Sequence, residues 1–211
     1  MKIFVWEANY PNFGGSADTH AAVRNKAAES AFLCNDEPYF YLKPDSSLLK
    51  DGKPFFLPDH LTDIRIGIHV VVKVGRLGKS ISVRFAHRYY EEVTVGASLV
   101  ACGELEGLCA RGLPWDLAVG FDGAALLGRF IRKPLDLDFE MRINDCTVQR
   151  GSVKDLKQQI DEGIAHISQY YILKTGDLVY TGCPTLPVAI KIGDRIEGYI
   201  NDEKLLDFYI R

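Results

Sequence analysis

The stretch Ile64–Val74, IRIGIHVVVKV, decides how the rest of the chain reads. It alternates at first and then becomes a β-branched run. Such a pattern is a β-strand that is half-buried at one end and buried on both faces at the other. A strand sends residues i and i+2 to the same face, so Gly67 and His69 share one. Outward from this strand, Tyr39–Leu42, Phe55–Leu57, Val93–Val100, Leu178–Thr181, Arg195–Ile200 and Leu205–Ile210 read as further strands. Asp136–Ile143 alternates apolar and charged residues, and Asn144-Asp145 turns it into Cys146–Gln149, which makes a hairpin. Helical patterns cover Thr19–Ala31, one or two turns within Arg84–Glu92, and Glu104–Ala110. The strongest helix covers Val153–Tyr171, with Leu156, Ile160, Ile164 and Ile167 at helical spacing. Asn9–Ser16, NYPNFGGS, reads as a loop. No βαβ alternation appears, which argues against a doubly wound sheet, and the expected class is mostly β with a few short helices.

Composition sets outer bounds. The chain has 211 residues, 28 acidic against 25 basic, for a formal net charge of −3. That balance argues against a nucleic-acid binder. No apolar run reaches the roughly 20 residues of a membrane helix, and the start lacks signal-peptide layout. Five cysteines (34, 102, 109, 146 and 183) without a CxxC pair fit reduced thiols in a cytoplasmic protein.

Several phrases, in order, carry a family resemblance. They are Asn9-Tyr10, LKPDSSLLKDGKP at 42–54, GLPWDLAVGFDGAALLG at 112–128, the Asn144…Gln149 hairpin, LKTGDLVYTGCP at 173–184 and IGDRIEGYI at 192–200. Over nearly its whole length the chain resembles the fumarylacetoacetate hydrolase family in its compact single-domain form. The resemblance implies a mixed β-sandwich roll over 1–211, with a lid and small subdomain in 1–60 and the core roll in 61–211. It also implies a homodimer, a Mg²⁺ or Mn²⁺ ion, and cleavage, decarboxylation, isomerisation or hydration of small oxo-acids.

A hard divalent ion needs oxygen ligands, mainly carboxylates. The family supplies them from an E-x-E pair on one strand and an Asp on a later one. By the resemblance those positions are Gly67, His69 and Ser98, and none is a carboxylate. The family's A-R-D triplet matches Ala101-Cys102-Gly103, and its Lys before Gly-Phe-Asp matches Val119. The His–Glu pair of the lid matches Phe13 and Ser16, and the T-G-T-P loop reads Thr181-Gly182-Cys183-Pro184. Thr181 and Cys183 then stand at substrate-binding positions.

The expectation is therefore a family member that has lost metal-dependent catalysis and acts as a pseudoenzyme or binder of a small oxo-acid, with no cofactor. The alternative is an altered enzyme in which His69, Cys102 and Cys183 converge to bind Zn²⁺ or to activate a thiolate. Against this stands the plainer reading of His69 as a satisfied strand histidine and of the cysteines as small buried residues. Asp18 and His20 offer a displaced acid–base pair, although Asp18 also suits a helix cap. His60, His87, His166, Asp122, Trp6, Trp115 and the pairs Tyr89-Tyr90 and Tyr170-Tyr171 read as structural. A third reading is a conventional metal-dependent member with the positions misassigned. The acids nearest the lost ligands, Asp63, Glu104 and Glu106, would then enter the site.

Overall fold

A computed structural model describes residues 1–11, 37–50 and 52–211. Ile64–Val74 forms one strand, β4, over the span its alternation indicates. Ahead of it come β1 (Ile3–Glu7), β2 (Tyr39–Lys43) and the short β3 (Leu48–Leu49). After it come β5 (Tyr90–Ala101), β6 (Ala125–Leu127), β7 (Ile131–Arg132), β8 (Asp138–Ile143) and β9 (Cys146–Ser152). The C-terminal part adds β10 (Leu178–Tyr180), β11 (Val188–Ala189), β12 (Arg195–Ile200) and β13 (Glu203–Tyr209). The helices are α1 (Val83–Ala86), α2 (Cys102–Ala110), α3 (Asp116–Val119) and α4 (Ile160–Tyr170).

Among the described residues the large sheet runs β2-β1-β10-β4-β5-β6-β3, with β11 also on β4 and β7 also on β5. It is mixed, because β1 pairs with β10 and β3 with β6 in parallel. The second sheet, β13-β12-β8-β9, is antiparallel. Strands from within residues 1–60 lie in the same large sheet as β4.

The alternation of β4 and β5 divides the interior in two. Ile64, Ile66, Ile68, Val70, Val72 and Val74 enter the main core, together with Val93, Val95, Ala97 and Leu99 of β5. The second sheet (Phe139, Met141, Ile196, Phe208) and α4 (Ile160, Ile164, Ile167) close that core. The odd-numbered residues of β4 face the other way. There Val71 packs with Ile3, Val5, Leu178, Tyr180, Ala125 and Leu127. The large sheet curls around this second face. From edge strand β2, the Lys43 amine donates to the carbonyl oxygens of Leu99 (2.7 Å) and Ala124 (2.9 Å), and the Tyr180 hydroxyl donates to Leu126 O (3.0 Å). Gly96, opposite His69, makes the curl possible, since a Cβ there would meet a Tyr180 ring carbon at 2.8 Å.

Three expectations need correction. Phe55–Leu57 is not a strand; between Pro54 and Pro58 it makes one bridge, Phe55 to Ile210, flanked by bonds to Tyr209 O and Arg211 O. The helical turn at 83–86 passes into a 3₁₀ turn over His87–Tyr89, and from Tyr90 onward the chain is β5, longer than expected. The helix expected over 153–171 begins only at Ile160, where the Gln159 N–H finds the Glu162 carboxylate at 2.9 Å.

Asn9 holds the segment before that helix open. Its Oδ1 accepts from Gln158 N (2.8 Å), and its Nδ2 donates to Gln158 O (3.0 Å) and Thr181 O (2.8 Å). Its own carbonyl accepts from Lys157 N at 2.9 Å. The surviving Asn of the Asn9-Tyr10 motif thus joins β1, the 156–159 segment and the 181–184 loop. Asn9→Ala is expected to lower unfolding free energy by about 3 kcal/mol, because it strands buried backbone groups. Urea melts check this; a loss below about 1 kcal/mol would show the clamp to be dispensable.

Candidate functional site

The positions matched to the family's metal ligands share the inner face of the roll. Gly67 and Ser98 are direct cross-strand partners on β4 and β5, and His69 is two residues along β4 from Gly67. His69 and Ser98 are buried. Between β11, which pairs at 65–66, and β10, which pairs at 71–73, the edge of β4 is open. The Thr181–Pro184 loop and Gln149 fill this gap. Thr181 N and its hydroxyl both donate to Val70 O, and Gln149 Oε1 accepts from Ile68 N at 2.9 Å. Gln149 Nε2 in turn reaches Thr185 Oγ1 and Leu186 O, each at 3.0 Å, and contacts Cys183 Sγ at 3.3 Å.

Cys183 occupies the space a ligand side chain at 67 would need. A Cβ on Gly67 would lie 2.6 Å from its Sγ. Cys183 belongs to an apolar cluster with Ala8, Val100, Cys102, Leu105 and Val119, and Tyr41 and Trp115 pack against it. The structure therefore does bring together Cys102, Val119 and Cys183, but as a packed apolar group. Burial raises the Cys102 thiol to about 11 and pushes Cys183 higher still. Both shifts oppose thiolate formation and so work against the alternative of an activated thiol. Alkylation followed by mass mapping should modify Cys109 and Cys146, which are exposed, and spare Cys102 and Cys183 until the protein unfolds. Labelling of native Cys183 would contradict the packing.

His69 decides what the face can hold. Its Nδ1 accepts a hydrogen bond from Gly182 N at 3.2 Å. Burial, with the Lys43 charge second, lowers its pKa to about 3, so the ring is neutral. A neutral imidazole that accepts at Nδ1 carries its proton on Nε2, which makes Nε2 a donor and not a metal ligand. Nε2 is buried without a hydrogen-bond partner. The Gly67, His69 and Ser98 set thus supplies no carboxylate and no free imidazole lone pair, and it does not fit Mg²⁺ or Mn²⁺. Among the described residues no group of three or more His, Cys, Asp or Glu is placed to hold a metal.

Two groups that the sequence reading left without a role, Glu7 and Lys43, complete the face. Glu7 of β1 is buried; its Oε1 accepts from the Tyr41 hydroxyl at 3.3 Å, and its Oε2 has no partner. Burial raises its carboxyl to about 8, opposed by Lys43 and the Tyr41 bond. Burial also depresses the Lys43 amine, opposed by Glu7. The Ser98 hydroxyl is buried beside Tyr41 without a well-formed hydrogen bond. The available signal was strand parity. Glu7 and Lys43 lie on the same faces of β1 and β2 as Val5 and Tyr41, and Val5 pairs directly with Tyr41. Each buried polar atom left unpaired costs about 1–3 kcal/mol, so Glu7 Oε2, His69 Nε2 and Ser98 Oγ together mark an expensive inner face.

Other candidates lie elsewhere. Phe13, Ser16, Asp18, His20, Cys34 and the 19–31 helix fall outside the described residues. Asp63 grips Arg65 through two oxygens, Glu104 accepts from Thr62 N, and Glu106 is exposed, so none replaces the lost ligands. His60, His87 and Asp122 are exposed. His166 packs edge-on or tilted among Trp6, Phe40 and Tyr170, and Trp115 meets Tyr41 edge to face. No helix among the described residues is long and apolar enough to cross a membrane.

A curled mixed sheet that encloses a polar strand face, backed by a second antiparallel sheet, defines a β-roll. The chain belongs to the fumarylacetoacetate hydrolase family: residues 2–206 match the family model described as Fumarylacetoacetate (FAA) hydrolase C-terminal. It is 29% identical to a mitochondrial oxaloacetate tautomerase of Arabidopsis thaliana, over 84% of this chain and 83% of that one. It is 28% identical to a mitochondrial oxaloacetate decarboxylase of Dictyostelium discoideum, over 84% and 85%. Its fold matches a fumarylpyruvate hydrolase from Pseudomonas aeruginosa, solved with Mn²⁺ and pyruvate. The TM-score is 0.84 at 20% identity, covering 100% of this chain and 89% of that one.

Proposed function

We propose that this protein is a family member that binds a small oxo-acid and has given up the metal-dependent reaction. One observation carries the reading: the strand face where the family places three carboxylates holds Gly67, His69 and Ser98, with Cys183 Sγ in the space beside Gly67. Neutral Gly and Ser bring no charge to a divalent ion, and the His69 nitrogen not bonded to Gly182 is a donor. The oxo-acid ligand class is supported by the relatives, named for oxaloacetate and fumarylpyruvate. The fold motifs are kept for packing: Asn9 as a clamp, Gln149 as a bridge, and Lys43 as a tie across the roll.

The test is calorimetric titration of the purified protein with Mg²⁺ and Mn²⁺, beside assays of oxaloacetate and an acylpyruvate with either metal or with EDTA. No saturable metal binding and no metal-dependent turnover is the expected result. Turnover that requires Mg²⁺ or Mn²⁺ would overturn the reading.

A further inference from the structure

We propose that the surface formed by the connection between β4 and β5, together with the segment after α4, docks on an anionic lipid bilayer. The proposal is independent of the ligand reading above. Residues 76–89 read RLGKSISVRFAHRY, with three arginines, one lysine and no acid, in a chain of net charge −3. Arginines elsewhere in the fold find carboxylates: Arg65, Arg129, Arg142, Arg150 and Arg195 each lie against one. No carboxylate among the described residues pairs with Arg76, Arg84 or Arg88. Arg84 and Arg88 lie instead over the Phe85 ring, 5.5 and 4.9 Å from its centre. The acids of α4 are engaged at the far end of that helix. Asp161 accepts from the Tyr90 hydroxyl and Glu162 from Gln159 N, whereas the 79–81 segment bonds its last turn at Ser168 and Gln169.

Apolar side chains stand out from the same surface. Leu77 is 71% exposed, Val83 49% and Phe85 41%. A bridge between Gly78 and Leu173 brings the second segment alongside. Leu173 is buried, so Ile172 and Lys174 on either side of it face out, as Leu77 and Lys79 do. Arg76, Leu77, Phe85, Arg88 and Tyr89 line an open hollow of about 290 Å³. Its two guanidiniums over an apolar floor suit a headgroup phosphate, which each can bind through paired N–H groups. Exposed apolar tips fringed by cations fit a partner that is apolar within and anionic at its surface. A bilayer with anionic headgroups has both layers, and basic side chains near its surface gain from its negative potential. An acidic protein segment would match the charge, but a hollow of about 290 Å³ seats one headgroup or side chain, not a length of chain.

The test is co-sedimentation of the whole protein with vesicles of phosphatidylcholine alone, or with about 30% phosphatidylserine added. The unmodified protein is expected to bind the anionic vesicles, less as salt rises, and to leave phosphatidylcholine in solution. The double variant Arg76→Glu with Arg88→Glu should weaken binding by about 30-fold or more, and Leu77→Ser by about tenfold. These side chains are exposed, so the fold does not depend on them. No binding of the unmodified protein to anionic vesicles would overturn the proposal. Equal binding to both vesicle types, or binding unchanged in the double variant, would overturn it too. Retention on immobilised polyglutamate without vesicle binding would assign the patch to an acidic protein instead. Self-association without vesicle binding, abolished in the double variant, would assign it to a second copy of this chain.

Discussion

Gly67→Glu is expected to destabilise this protein by roughly 3–5 kcal/mol, although it restores the residue type the family carries there. The new Cβ would lie 2.6 Å from Cys183 Sγ, and the loop holding Cys183 is pinned by Gln149 and by the Thr181 bonds to Val70 O. The added carboxylate would enter an apolar cluster that includes Val100, Cys102 and Val119. Overpacking accounts for about 1–3 kcal/mol, and unpaired burial of the carboxyl for the remainder. Adding Cys183→Ala should recover the overpacking part, because it removes the sulfur and leaves the loop backbone in place. Chemical denaturation of the single and double variants checks both statements. A cost below 1 kcal/mol for Gly67→Glu would show that the Cys183 contact is soft.

The same contact shapes how a metal centre could be rebuilt. Gly67→Glu, His69→Glu and Ser98→Asp together supply three carboxylates on one strand face, as a hard divalent ion needs. They should be made with Cys183→Ala, since the sulfur stands where the first of them begins. Calorimetry on the folded fourfold variant should show Mn²⁺ binding that the parent lacks. Its absence would count against the positions assigned to the ligands.

The second large effect depends on pH. Burial raises the Glu7 carboxyl from its ordinary 4.5 to about 8. The folded protein therefore holds this proton more tightly than the unfolded chain does. The contribution to stability is full below pH 4.5 and is lost as pH rises toward 8. Each pH unit in that window corresponds to about 1.4 kcal/mol. Glu7→Gln keeps the shape and cannot ionise, so it removes the loss. It is expected to be about neutral at pH 4.5 and to stabilise by about 4 kcal/mol at pH 7.5. Lys43 titrates in the opposite sense above neutral pH, because burial depresses its amine and lets stability rise with pH. For that reason the wild-type profile alone is a poor guide, and the difference between variant and wild type is the quantity to measure. A difference that stays flat from pH 4.5 to 8 would show that Glu7 is not held neutral by its surroundings.

Much of this protein is local in origin. Parity along Ile64–Val74 by itself assigns Gly67 and His69 to one face, and the β4–β5 register adds Ser98 to it. The loss of three carboxylates is a matter of residue type, equally visible in the chain and in the fold. The hairpin at Asn144-Asp145 and the turns at Gly193 and Asn201 follow from residues that tolerate left-handed backbone, and all lie there.

What the folded molecule alone decides is which distant residues meet across the curl. Val153–Tyr171 has helical periodicity throughout, yet Asn9, some 150 positions earlier, engages the backbone at 157–158 and delays the helix to Ile160. Glu7 and Lys43 look in the chain like the charged ends of two strands. They become buried neighbours of His69 and Ser98 only because β1 and β2 are carried around the inside of the roll. Cys183 reads as a small residue in a loop and proves to be what fills the space beside Gly67. The physical reason is one of range. Strand alternation and turn chemistry are set by neighbours a few residues away, whereas desolvation, steric filling and the pairing of buried donors depend on atoms that only closure of the sheet brings together.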